Sequence, residues 1–131
     1  MIVLDTAAAV HLLLGTKGRA AWVEEQCDAA RWRLHAPHVI DVEVIGVLRK
    51  AVFRREISPR RARALLDVLS GLSLTRYPHV QLLDRAWNLR THVSSPDAFF
   101  VALAEALEAP LVTTDLRLSR THGHWATIIA P

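Results

Sequence analysis

The chain has 131 residues, 51% of them hydrophobic and 22% charged, with a mean hydropathy of +0.19, which is enough apolar material to bury one core in one compact domain. Sixteen Lys and Arg against thirteen Asp and Glu leave +3 with His neutral, a sum too small to identify a nucleic-acid partner by itself. The single cysteine, Cys27, excludes an internal disulfide and a cysteine-based zinc site and fits a reducing, cytoplasmic setting. The apolar stretch from Ile2 to Leu14 holds Asp5 and His11, lacks a basic flank and is too short to span a bilayer, so neither signal peptide nor membrane anchor is expected.

Met1 to Asp5 is a short apolar run ending in an acid, and the Ala- and Leu-rich stretch from Thr6 has strong helix propensity, so strand then helix is predicted. A polar turn from Gly15 to Gly18 leads to a second helix through Trp22 and Val23. Arg33 to Ala36 reads as a second strand, with Pro37 placed in the first turn of the next helix, where its missing N–H costs nothing. That third helix, about His38 to Arg55, repeats Ile40, Val44, Val47, Leu48 and Ala51 at spacings of three and four. Ser58-Pro59 is a helix start for a fourth, stopped at Gly71. Leu72 to Tyr77 is a third strand, and Pro78 to Arg90 a helix with Val80, Leu83, Ala86 and Trp87 inward. Ser95-Pro96 opens a helix through Leu107 that is apolar almost all round and therefore buried. Leu111 to Thr113 is a fourth strand, Asp115 opens a short helix, and Thr127 to Ala130 closes the chain as a fifth strand. Strands alternating with helices along the whole length predict a single α/β domain around a mostly parallel sheet.

In open parallel sheets the ligand crevice lies beyond the carboxyl ends of the strands. Asp5 and Asp115 fall there, and Asp97 sits in the first turn of the buried helix. Each has a structural reading, since Asp is a good N-cap and complements the helix dipole in a first turn. Three carboxylates on one edge, however, repel one another and raise one another's pKa. A divalent cation with oxygen preference, Mg²⁺ or Mn²⁺, resolves that conflict and can activate water against a phosphodiester. Asp41 and Glu43 are both candidates for a fourth ligand. Two residues apart on a helix, they lie about 200° apart, so only one faces the crevice, and periodicity does not choose.

Nothing else in the chain suggests catalysis. There is no glycine-rich phosphate loop and no nucleophile elbow, Cys27 has no activating base nearby in sequence, and His122 and His124 form only an isolated H-x-H pair suited to a surface or structural role. One charge run stands out between residues 49 and 63. Arg49, Lys50, Arg54, Arg55, Arg60, Arg61 and Arg63 are opposed only by Glu56. It is either a solvated helix face or a surface for phosphates or an acidic partner segment.

Four motifs then coincide: Val3-Leu-Asp5; Pro37 followed six positions later by Glu43 in Glu43-Val-Ile-Gly-Val-Leu-Arg49; Asp97-Ala-Phe-Phe-Val-Ala-Leu-Ala-Glu105; and Leu111-Val-Thr-Thr-Asp115-Leu-Arg-Leu118. In order and spacing, over essentially the full length, they resemble the PIN-domain ribonucleases, and in particular the VapC toxins of bacterial type II toxin–antitoxin pairs. The resemblance implies a three-layer α/β/α sandwich with a five-stranded sheet. It places the family's four acids on Asp5, Glu43, Asp97 and Asp115, which chooses Glu43 over Asp41, and its supporting hydroxyl on Thr113. It implies Mg²⁺- or Mn²⁺-dependent cleavage of RNA to 3′-hydroxyl and 5′-phosphate ends, a homodimer, and a VapB-type antitoxin as partner. The charge run then offers Arg49, Lys50, Arg54 and Arg55, with Arg117, as candidate contacts for RNA or antitoxin.

The chain departs from that pattern at three positions. Ala7 stands where relatives often carry a small hydroxyl residue, leaving Thr6 as the nearest replacement. Pro96 suits a first helical turn. Arg117 stands where some PIN nucleases have a further acid, so a four-acid site is expected. Glu105 lies eight residues after Asp97, roughly 80° round the helix, and is read as supporting or structural. Two other classes compete. An Asp-based phosphoryl-transfer domain also puts an acid after strand one, but Ala7 occupies the position of its second Asp and the only lysines are Lys17 and Lys50. A catalytically degenerate RNA- or protein-binding module is the other.

Overall fold

The computed structural model describes all 131 residues. Five strands form one sheet in the order β3-β2-β1-β4-β5, every neighbouring pair parallel: β1 (Ile2–Leu4), β2 (Leu34–Pro37), β3 (Leu74–Tyr77), β4 (Leu111–Val112) and β5 (Ile128–Ile129). Six helices complete the fold: α1 (Thr6–Leu14), α2 (Arg19–Ala29), α3 (Val39–Phe53), α4 (Pro59–Gly71), α5 (Leu83–Asn88) and α6 (Ser95–Leu107). They fall into two sets. The helices α1 to α4 pack on one another, while α5 packs on α6 and α6 lies against β1, β2 and β4, so the sheet is the middle of three layers. Strands this short are paired on both sides at β1, where Val3 and Leu4 are fully buried, as both faces of a covered parallel sheet require.

Local sequence explains most boundaries. Asp5 caps α1 through its carboxylate, which accepts from the Ala8 N–H at 2.8 Å, and α1 ends at Gly15 in the left-handed region, φ +64°. Ser58 and Ser94 cap α4 and α6, each followed by a proline in the first turn. As predicted, α6 is buried on nearly every side, from Ala98 to Glu105, apart from the half-buried Phe99.

Four expectations need correcting. Pro37 is the last residue of β2, paired with Tyr77, rather than the first turn of α3; the strand end is the other place where a missing N–H leaves no bond unmade. The segment after Pro78 is not one helix but a 3-10 turn, Val80–Leu82, followed by the short α5. The change of pitch shifts the inward face, so Ala86 is buried with Leu82 and Leu89, while Val80, Leu83 and Trp87 are exposed. On α3, Ile40, Val44, Leu48 and Ala51 are buried but Val47 is 40% exposed and lines a groove. After β4, Asp115 begins a loop that closes in a 3-10 turn at Leu118–Arg120 rather than a helix.

Candidate active site

Beyond the carboxyl ends of β1 and β4 lies a groove of about 410 Å³, lined by Asp5, Glu43, Asp97 and Asp115. The four acids arrive from four different elements. Asp5 is the residue between β1 and α1, Glu43 is in the second turn of α3, Asp97 in the first turn of α6, and Asp115 follows β4. No lysine lines the groove, which counts against the phosphoryl-transfer reading. Asp41 is not part of it. Its two carboxylate oxygens accept from Arg76 of β3 at 2.7 and 2.9 Å, beside a separate groove between α3 and α4.

Each carboxylate is oriented by a neighbour. Asp5, only 4% exposed, accepts from Ala8 while capping α1, so the structural reading and the site reading describe one residue doing both. Glu43 accepts from the Thr6 hydroxyl at 2.7 Å. Thr6 thus supports the acid on α3 although α1 starts at Thr6 itself. Asp97 is held by its position one turn into α6, where Ser94 accepts from its N–H at 3.4 Å. Thr113 is fully buried and its hydroxyl accepts from the Asp115 N–H at 2.9 Å. Asp115 in turn accepts from the Arg117 backbone at 2.8 Å and from the Arg117 guanidinium at 3.2 and 3.0 Å.

The electrostatics separate three acids from the fourth. Burial above all pushes Asp5 up to about 7, against the Ala8 N–H and the Thr113 hydroxyl, and the nearby Asp97 and Asp115 charges push the same way. Burial raises Glu43, opposed by the Thr6 hydroxyl and reinforced by Asp97. It also raises Asp97, opposed by Ser94, with Asp115 raising and Arg117 lowering it. Asp115 alone is held below the usual carboxylate range, because Arg117 hydrogen-bonds to it. Three protonation-prone carboxyls that feel one another are a donor set short of positive charge, and all-oxygen donors suit Mg²⁺ or Mn²⁺. With Asp115 turned to Arg117 and Glu43 to Thr6, no three acids converge closely enough to share one ion as the side chains stand.

The remaining sequence candidates separate cleanly. Arg117 lines the acid groove, whereas Arg49, Lys50, Arg54 and Arg55 are exposed away from it on and after the end of α3. Within that run Arg49 stacks over Phe53 at 4.6 Å, Arg61 donates to the Leu14 carbonyl and Arg63 pairs with Asp67, so part of its charge serves local packing. Glu105 faces away from the acids and accepts from Arg85 at 2.6 and 3.0 Å and from the Trp125 N–H at 3.1 Å, which makes it structural. Cys27 is buried, its thiol pushed up to about 11, and His122 packs edge-on against His92 rather than joining His124. Sequence reasoning missed His11, which lines the groove from α1. It lies four residues, about one helical turn, after Ala7, which lines the same groove, and that signal was available.

Comparison with known proteins follows the same lines. The family described as PIN domain matches residues 2–123. The VapC ribonuclease Mb0985 of Mycobacterium bovis is 45% identical over 121 residues, covering 92% of this chain and 91% of its own. Ribonuclease VapC12 of Mycobacterium tuberculosis is 43% identical over 131 residues, covering 98% and 97%. Among solved structures, VapBC2 from Rickettsia felis, bound to a DNA fragment from its promoter, superposes with a TM-score of 0.73 at 15% identity, covering 99% of this chain and 98% of its own. The DNA-bound VapBC of Salmonella typhimurium gives 0.73 at 19% identity, covering 99% and 98%.

Proposed function

This chain belongs to the PIN-domain family, among the VapC toxin ribonucleases of VapBC systems, and from that premise we propose that it is an Mg²⁺- or Mn²⁺-dependent endoribonuclease. The observation that carries the reading is the gathering of Asp5, Glu43, Asp97 and Asp115, from four separate elements, in one groove at the carboxyl edge of the sheet. Bound there, the cation would supply Lewis-acid activation of water and neutralise charge building on the leaving oxygen of a phosphodiester. The residues of the chain do the rest. Asp5, Asp97 and Glu43 would hold the ion, with Asp115 joining once released from Arg117. The Ala8 N–H and the Thr113 and Thr6 hydroxyls hold Asp5 and Glu43 at the groove, and the side chains close on the ion from there. Raised carboxyl pKa values couple binding to proton loss, so affinity rises with pH.

The partners follow from the same membership. A VapB-type antitoxin is the cognate inhibitor, RNA the substrate, and a homodimer the assembly. The exposed run at Arg49, Lys50, Arg54 and Arg55 supplies a cationic surface for the antitoxin or the RNA backbone.

The test uses purified chain with RNA and Mg²⁺ or Mn²⁺. Wild type cleaves and is silenced by chelator, and Asp5→Asn or Asp97→Asn lowers the rate by at least about a hundredfold while circular dichroism shows the fold intact. Cleavage that survives both substitutions assigns the chemistry elsewhere. A chain that binds no cation and cuts no RNA is the degenerate binding module instead.

A further inference from the structure

The acid groove does not end at Asp115. It runs on, past Ala7, His11, Asp115 and Arg117, which line both parts, into a second trough of about 380 Å³ that adds Arg19, Thr114 and Leu116. Ala7, with only a methyl group, stands at their shared boundary together with His11 and the Asp115–Arg117 pair. The chemistry of the second trough is the reverse of the first. Arg19 and Arg117 are exposed cations on its rim. Asp115, its one acid, is already matched by the Arg117 guanidinium.

Two buried polar atoms here have no partner. Thr114 is 5% exposed and its hydroxyl makes no hydrogen bond; the Nδ1 of His11 is likewise buried and unpaired. The tautomer of His11 follows from its neighbour. Arg19 has only N–H groups to offer and lies 3.2 Å from Nε2, so Nε2 is the acceptor and Nδ1 carries the proton. Burial, aided by Arg19, holds the His11 pKa below its ordinary value, and the ring stays neutral in this arrangement. Buried donors left unmatched are uncommon, and an anion in the trough is one source of the missing acceptor. Arg19 is also the first residue of α2, which starts at Gly18 with no side-chain cap and no acid in its first turn, so the positive end of that helix adds to the trough.

We propose that this trough is an anion subsite that seats a phosphate of the RNA strand next to the one being cut, with the exposed Arg19 as its principal contact and the buried Thr114 hydroxyl as a donor in its wall. The inference rests on the ribonuclease reading above. It assigns the substrate backbone a direction across the site: scissile phosphate over the acids, its neighbour over Arg19. Because the contacts are cations and a hydroxyl, and no Phe, Tyr or Trp lines the trough, the subsite positions RNA without reading its sequence.

The experiment measures binding by fluorescence anisotropy with short single-stranded oligo-A and oligo-U, in an Asp5→Asn background that is silent in cleavage, across a series of salt concentrations. Adding Arg19→Ala weakens binding roughly threefold to tenfold at low salt, equally for both oligonucleotides, and lowers the salt slope by about 1. Arg19→Lys retains the slope. Thr114→Val removes an unpaired hydroxyl, so the melting temperature holds or rises while RNA binding weakens. Unchanged affinity and slope in Arg19→Ala overturn the subsite, as does a fall in melting temperature with unchanged binding in Thr114→Val. Weakened capture of an acidic antitoxin segment, with RNA binding untouched, overturns it in favour of a protein carboxylate. Wild-type cleavage of RNA keeps these failures apart from failure of the ribonuclease reading: a chain that cuts RNA but ignores Arg19→Ala loses only the subsite, while one that neither binds nor cuts RNA loses both.

Discussion

Arg85 grips Glu105 at 2.6 and 3.0 Å, and Arg117 grips Asp115 at 3.2 and 3.0 Å, the same fork-to-carboxylate geometry in two regions of one small molecule. Their surroundings differ. The Glu105 side chain is 3% exposed, Arg85 is covered by the Trp125 ring at 4.0 Å, and the Trp125 N–H adds a third bond to the carboxylate. The Arg117 side chain is 92% exposed and its carboxylate borders an open groove. The comparison teaches that burial, rather than pairing, decides what an ion pair does. The first ties the segment leading to β5 onto α6. The second is a loose contact that costs little to exchange for a ligand.

The sharpest way to break that contrast is Arg85→Ala. It leaves Glu105 charged and buried without its partner, and a loss of roughly 3–5 kcal/mol in urea unfolding is expected. Replacing both members together, Arg85→Met with Glu105→Leu, should recover more than half of that loss. Recovery of less than half would mean that the Trp125 N–H bond, lost together with Glu105, holds the segment more than the pair does.

Next in size is the pH response of the acid groove. The folded pKa of Asp5 lies at about 7, and those of Glu43 and Asp97 are raised too. A raised carboxyl favours the folded state while protonated, so this contribution is full below about pH 4 and is lost as pH rises toward 7. Metal-free wild type is therefore expected to lose stability over that window. Asp5→Asn, which keeps the helix cap, should flatten the profile and be more stable than wild type at pH 8 by roughly 1–4 kcal/mol. Asp115 works in the other direction: its lowered pKa gives stability that disappears as pH falls below the ordinary carboxylate range. A flat wild-type profile in thermal melts from pH 4 to 8 would contradict the burial of charge at Asp5.

The smallest effect sharpens the comparison from its exposed side. Arg117→Ala should leave the melting temperature unchanged, and by freeing Asp115 it should tighten Mg²⁺ or Mn²⁺ binding by up to about fivefold, measured calorimetrically. Weaker binding would mean that Arg117 organises the acids instead of competing for one of them.

Much of this was legible in the sequence, and the exceptions have one cause. Asp5 and Asp115 announce themselves because a strand end and a following acid are adjacent in the chain. Glu43 and Asp41 could not be told apart by spacing, since their fates depend on residues more than thirty positions away: Thr6 for one, Arg76 for the other. The same holds for Glu105, whose role is set by Arg85 and Trp125. The inward face after Pro78 was misread because Val80, Leu83 and Trp87 and the set Leu82, Ala86 and Leu89 are both apolar at helical spacing. Only the intervening 3-10 turn chooses between them. Local rules placed the elements; long-range partners chose which side chains meet.

The pairing of β1 with β4, Val3 beside Leu111, carries a consequence in time. The groove needs an acid from the first strand's end and another from the end of β4, more than a hundred residues further along the chain. Until β4 has emerged from the ribosome and docked against β1, the chain holds three acids on unassembled elements and no groove to gather them. A site divided in this way exists only once the sheet is complete, so the gathering of its four acids reports on the folding of the whole domain.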